Sequence, residues 1–340
     1  MAIWGVKLKV LLSYILFSVA ATTFLASWAN VFPQRLVEDL YSRGIFPTIS
    51  HVFGIFADVV PFSWLDVWIP VGAAILIYVC LRRRWKLLVG WICAFYLWFF
   101  WGWGLNYHRV PVGERLHLDT QDLTPADFEM FTLRAAEEIN QLWPVASNAP
   151  LDRDAVAAIA TRRVETVIFK IDGTDWPATH KVKRSLLLEP WHIRAGIDGM
   201  FNPFGHEALV VKGPLPFELP FLMTHEIAHV RGVANEGEAN LIALLATVGS
   251  EDPRFQYSGW LYLWSYLKKV PEARLDEGPR ADLQAAMARI LLHQVPVIDQ
   301  FQSALLDAHL KANAVPGGIR SYGDFVALAV ASAPRWKEFR

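Results

Sequence analysis

From Val10 to Gln34 the chain carries no charged residue. An uninterrupted apolar run of that length is enough to cross a bilayer as a helix, so at least part of this chain is expected to fold with lipid as solvent. The run starts after Lys7 and Lys9, and the span is placed at about 10–32. Ser27-Trp28-Ala29 also fits a small-x-small cleavage pattern, so a retained span and a cleaved signal peptide both fit the first run. A second run, about 60–81, contains only Asp66 as a charge, and a third, about 87–106, contains none. Between them stands Arg82-Arg83-Arg84-Trp85-Lys86. Basic residues next to spans are retained in the cytoplasm, which places this cluster and Lys7/Lys9 inside and everything after about Tyr107 outside. Trp98, Trp101, Trp103 and Tyr107 gather at that exit, as expected at a membrane–water interface, or as plain helix packing. No span has an ionisable group at its centre, so the spans read as an anchor rather than a transport path.

Residues 1–107 are therefore expected to form a three-helix membrane anchor, and residues 108–340 an extracytoplasmic domain. The composition agrees: 54% hydrophobic residues, with 15 Trp and 21 Phe, is more apolar than a soluble domain and excludes disorder. A formal net charge of -1 gives no electrostatic footprint for nucleic acid. The two cysteines, Cys80 and Cys93, lie in apolar stretches and read as buried thiols.

In the second half, Thr124 followed by Pro125 reads as an N-cap and first position, opening an amphipathic helix over 125–142. A loop is read at 148–150, a short helix over 152–163, a strand over 164–171 with Gly173 as its turn, and further strands at 184–189 and 206–212. From about Leu219 the pattern is helical, broken at Pro253, Pro271 and 316–318. The fold class expected is α+β and predominantly helical.

His225-Glu226-Ile227-Ala228-His229 is an H-E-x-x-H sequence. Residues four apart share a helix face, so two imidazoles there can grip one zinc ion (Zn2+). Glu226 beside them can act as general base on a water whose pKa zinc lowers to about 7. This points to a zinc-dependent peptidase acting on a peptide or protein substrate. A catalytic site needs a third protein ligand. After Gly232, the segment Asn235-Glu236-Gly237-Glu238-Ala239-Asn240 opens a second helix, and either Glu236 or Glu238 can supply that ligand. Asn235 is its expected N-cap, with Glu238 as capping-box partner. Arg231 reads as a structural ion-pair partner. The apolar stretches flanking the motif are too short to span, so the site is placed outside the bilayer. A non-catalytic zinc-binding assembly or sensor protein is the alternative, and Glu226 argues against it, because a binding-only site needs no base beside its ligands.

Glu236-Gly237-Glu238-Ala239-Asn240 resembles the glutamate-helix signature of gluzincin peptidases, E-x-x-A-[DN]. That resemblance implies Glu236 as zinc ligand and Asn240 as the residue supporting a ligand histidine, and leaves Glu238 as the alternative because the interval from His229 is short. More of the chain is similar to an uncharacterised family of bacterial membrane proteins, a domain of unknown function with three N-terminal helices and a zincin-like domain. The similarity rests on Val37-Glu38, Leu40-Tyr41-Ser42, Pro61-Phe62-Ser63, 103–107, Pro203-Phe204 and 310–313. It implies a cytoplasmic-membrane protein with an active-site helix, a glutamate helix and a small mixed sheet. It also implies that 205–210, including His206, Glu207 and Ala208, form the edge strand that lies against substrate. An oxyanion donor is sought in the aromatic segment that follows, at Tyr257, Tyr262 or Tyr266, with Tyr257 and Tyr262 preferred.

Overall fold

The computed structural model describes residues 2–147, 152–175, 181–270, 273–313, 315 and 324–340, with side chains from Tyr14 onward. The breaks read at 148–150, Pro271 and 316–318 lie outside the described residues.

Helix α1 (Ala2–Trp28) leads through a short turn, α2 (Gln34–Leu36), into a π-helical stretch, Val37–Ile45, and α3 (Phe46–Ala57). Helices α4 (Leu65–Leu81) and α5 (Trp85–Gly102) form a hairpin, with Arg82–Lys86 at its tip. Of these, α5 is long and apolar enough to cross a membrane; Tyr14–Trp28 and α4 are shorter apolar helices. Most side chains of α4 and α5 are exposed, and most of those are apolar.

A 3-10 turn, Gly104–His108, and α6 (Val112–Arg115) lead to α7 (Pro125–Ala146). Thr124 caps α7 in a capping box with Asp127. The segment 164–171 is helical, and with 152–163 it forms one helix, α8 (Arg153–Asp172). Its β-branched residues suggested a strand, but Val156, Ala160, Val164, Val167 and Ile168 are buried at helical spacing on one face. Gly173 ends α8 in the left-handed conformation, φ 67°. The segment 184–189 is not a strand either: after a single bridge at Lys183 it turns through 186–188 into α9 (Glu189–Arg194).

The sheet is small. Strand β1 (Gly199–Asn202) pairs antiparallel with β2 (Glu207–Val210), and Lys183 adds a parallel bridge on the far side of β2. Helices α10 (Leu219–Val230), α11 (Glu236–Val248) and α12 (Pro253–Trp264) follow, then α13 (Glu277–His293), α14 (Pro296–Ala312), α15 (Asp324–Ser332) and a 3-10 tail, Ala333–Phe339. The architecture is α+β and predominantly helical. Helix α11 is the centre of the core: every residue from Ala239 to Val248 is buried, as expected of a helix apolar all round.

The segment between α1 and α4 joins this core. Ser50 Oγ donates to Val230 O of α10, at 3.3 Å, and Phe46 packs where a side chain at Gly232 would stand. Glu38 forms a buried ion pair with Arg109, which also pairs with Asp172 and donates to Gly232 O. Paired charges of this kind persist in a core because each partner compensates the other's lost hydration.

Candidate metal centre

Helix α10 is fixed on all sides before it presents anything to solvent. Pro220 occupies its first turn. Arg231, fully buried at its C-terminal end, pairs with Glu165 of α8 at 2.5 Å. Trp103, just past α5, donates from Nε1 to His229 O at 2.9 Å. The chain then reverses at Gly232, whose φ of 78° suits glycine, and a Cβ there would stand 2.7 Å from Phe46. Asn235 caps α11 by accepting from the Glu238 N–H at 3.2 Å.

This turn brings Glu236 back over α10. Its Oε2 lies 3.3 Å from Nε2 of both His225 and His229, and the two Nε2 atoms are 3.1 Å apart. Among the described residues, this is the group of three or more His, Cys, Asp or Glu whose ligand atoms converge closely enough to hold a metal ion. His229 Nδ1 donates to Val233 O at 2.7 Å, which leaves Nε2 as the nitrogen that would bind a metal ion once it gives up its proton. Asn240 is buried beside His225 and Tyr266 and influences both rings, although its amide makes no hydrogen bond of ordinary geometry.

The electrostatics follow from burial and proximity. Burial lowers the proton affinity of His225. Burial acts the same way on His229, but the adjacent Glu236 carboxylate outweighs it and raises its pKa to about 9. Burial favours protonated Glu236, yet the two histidines hold its carboxyl well below the usual range. Burial dominates at Glu226 and pushes it up to about 8. One Glu226 oxygen, Oε2, is buried without a hydrogen-bond partner.

Glu238 stands apart. Its Oε1 accepts from the Val112 N–H at 2.8 Å, and Arg109 and Arg115 lie close. The carboxylate thus serves neither the converging group nor a capping box with Asn235.

His225, Glu226, His229 and Glu236 line a cavity of about 550 Å³. Its other walls are Gly199, Met200 and Phe201 of β1, Phe99 and Trp103 from the end of α5, and one face of α14. Gly199 is required here, because a Cβ would fall 2.3 Å from Glu226 Oε1. The strand along the cavity is β1, not the one read at 206–208. Strand β2 cannot be an edge, since it bonds β1 on one side and Lys183 on the other, and all four residues are buried. Glu207 accepts from Ser63 Oγ, Lys183 Nζ and Asn202 Nδ2, at 2.7–2.8 Å. His206, fully buried, stacks on Phe53 at 4.8 Å, and burial lowers its pKa to about 3. Ala208 is buried too.

Of the tyrosines, Tyr262 lines the cavity, stacks on Phe221 at 3.7 Å and pairs its hydroxyl with Tyr266 at 3.0 Å. Tyr257 does not line it: its hydroxyl donates to Asp282 at 2.6 Å in a separate pocket under α12. Tyr107 and His309 also line the cavity, with Tyr107 Oη and His309 Nε2 3.4 Å apart. Neither was found from the sequence. Tyr107 read as an interfacial aromatic, and His309 lies 80 residues beyond the H-E-x-x-H motif with no spacing to connect them.

Residues 41–330 match the family described as protein of unknown function (DUF3810). The chain belongs to that family. The DUF3810 match begins at Tyr41 in the π-helical stretch and so takes in α3 to α14, with every cavity residue named above. No curated protein and no solved structure matches the chain.

Proposed function

We propose that this DUF3810 protein is a membrane-anchored zinc-dependent metallopeptidase that hydrolyses peptide bonds outside the cytoplasm. The carrying observation is the convergence of His225, His229 and Glu236 beside Glu226, whose carboxylate keeps one oxygen uncommitted. Two imidazole nitrogens and one carboxylate oxygen are the donor set of a catalytic zinc site, with a position left for water or substrate. The hydrogen bond from the Val112 N–H to Glu238 supports Glu236 as the carboxylate of that set.

His225, His229 and Glu236 would hold the zinc ion, which would supply Lewis acidity and make water deprotonable near neutral pH. Glu226 would take the proton, at Oε2, and return it to the departing amide nitrogen; burial alone favours its protonated form, and a divalent cation held beside it would favour the ionised form that a base needs. An extended peptide fits along β1, which pairs with β2 on one side only among the described residues and lines the cavity with Gly199, Met200 and Phe201. Tyr262 and Tyr107 line the same space; burial raises the pKa of Tyr107, so it remains a proton donor.

The anchor is read as three spans, α1, α4 and α5, with Arg82–Lys86 in the cytoplasm and α6 to α15 outside. Alkaline phosphatase fused after Arg340 should be active and fused at Arg84 inactive; the reverse pattern overturns the topology. The activity is tested by metal analysis of the purified protein, with proteomic comparison of cells carrying wild type and Glu226→Gln. Uncleaved substrates should accumulate in the variant. Equal proteomes with zinc retained in both would instead support a non-catalytic zinc protein.

A further inference from the structure

Helix α14 is amphipathic in the inverted sense. The side towards the cavity carries Asp299, Gln302, Ser303, Leu306 and His309, mostly polar. The opposite side carries Val297, Phe301, Ala304, Leu305 and Ala308, at the i, i+4, i+7, i+8, i+11 spacing of one helix face, and all are exposed. Val297 is 75% exposed, Phe301 60% and Leu305 55%. A helix at the rim of a water-soluble domain does the reverse. An apolar face of this extent marks a surface with a non-aqueous neighbour.

The position of α14 identifies that neighbour. Asp66, in the first turn of α4, accepts from the N–H groups of Leu186 and Leu187, at 2.8 and 2.9 Å. Both leucines are exposed. They lead into α9, where the Trp191 ring meets Phe301 of α14 edge-on at 6.3 Å. At its other end α14 meets the end of α5, through Phe99 against His309 at 5.5 Å. Helix α14 thus lies beside the end of α5 and, through α9 and Leu186–Leu187, beside the start of α4. Leu291 and Leu292 of α13 are exposed as well.

We infer that the outer face of α14, with Leu186, Leu187 and Trp191, lies in the headgroup–acyl boundary of the bilayer, as an interfacial helix does. One wall of the cavity is then held between the zinc ligands and lipid, and the site stands at the membrane surface rather than above it. The inference rests on the reading of α5 as a span.

Spin labels test it on the full chain in lipid nanodiscs. Phe301→Cys, Leu305→Cys, Ile92→Cys and Met130→Cys are made separately in a C80S/C93A background. Ile92 is exposed on α5 and Met130 on α7. Collision with oxygen reports lipid, and collision with a polar nickel chelate reports water. Labels at 301 and 305 should show an oxygen-to-nickel ratio several-fold above that at 130 and approaching that at 92. A ratio at 301 and 305 equal to that at 130 overturns the inference, since the face is then in water. Shielding from both reagents also overturns it, because a protein partner or a second copy then covers the face. A water-like ratio at 92 removes the anchor reading itself, an outcome distinct from failure at 301 and 305 alone.

Discussion

The dipeptide His-Glu occurs twice in this chain, at 206–207 and at 225–226, and the fold puts the two to opposite uses. At the first, Glu207 is saturated: a hydroxyl, an ammonium, an amide and a backbone N–H all donate to it, and His206 is stacked among aromatic rings. At the second, Glu226 keeps an oxygen without a partner, and His225 converges with His229 and Glu236 on a cavity. Both glutamates are buried, so burial does not separate them. What separates them is compensation. A buried carboxylate with every lone pair engaged holds elements together, whereas one left uncommitted next to a cavity is available to a reaction.

The largest expected effect comes from removing the uncommitted carboxylate. Glu226→Gln should lower peptide hydrolysis by about 10²–10⁴-fold, the usual worth of a positioned general base, while zinc content stays at wild type. Near-wild-type cleavage would break the comparison at its functional end, and loss of zinc would make Glu226 a ligand.

Glu207→Gln should act on the other axis. It leaves Lys183 charged and buried without its carboxylate, which costs about 3–5 kcal/mol of stability. Denaturant unfolding of the detergent-solubilised protein measures it. A change under about 1 kcal/mol would show that this ion pair is not the clamp that joins β2 to 57–64.

Some of this was legible in the chain and some was not, for physical reasons. H-E-x-x-H is a local pattern, two histidines four positions apart on one helix face, and one turn at Gly232 suffices to return Glu236. Thr124 and Asn235 cap helices through contacts three residues away, also local. The error at 164–171 came from weighing β-branched identity above spacing, when Val156, Ala160, Val164 and Val167 already repeat with helical period. Strand β1 is four residues long and begins at a glycine, too short for a period-2 signal. That β2 is interior rather than edge depends on Lys183, and the Glu38–Arg109–Asp172 network joins residues up to 134 positions apart. Neither leaves a periodic trace.

A smaller effect separates the two glutamates of α11. Glu236→Ala removes a ligand and should weaken zinc binding at least as much as loss of a supporting partner does, about 10–100-fold. Glu238→Ala should leave zinc affinity near wild type and reduce stability by about 1–3 kcal/mol, because the Val112 N–H loses its acceptor. Competition with a chelator, run on both variants, reads the difference. A site emptied by Glu238→Ala and kept by Glu236→Ala would shift the ligand register by two residues.

The smallest effect concerns Tyr257, which extends the same contrast to tyrosines. Its hydroxyl is committed to Asp282, as Glu207 is committed to Lys183, and it does not reach the cavity that Tyr262 lines. Tyr257→Phe removes one donor from Asp282 Oδ2, but Trp143 Nε1 still donates to that oxygen at 3.1 Å. No acceptor is left bare, so the cost is that of one ordinary hydrogen bond, about 1 kcal/mol, rather than that of a buried unsatisfied group. Hydrolysis by the variant should stay at wild type. Tyr262→Phe should cost little stability, since the ring still stacks on Phe221, but should lower the rate of hydrolysis if its hydroxyl steadies developing negative charge. Measuring rate and unfolding for both variants sharpens the comparison. A rate loss confined to Tyr257→Phe would mean that commitment to a partner does not remove a residue from the chemistry, and the rule drawn from Glu207 and Glu226 would fail with it.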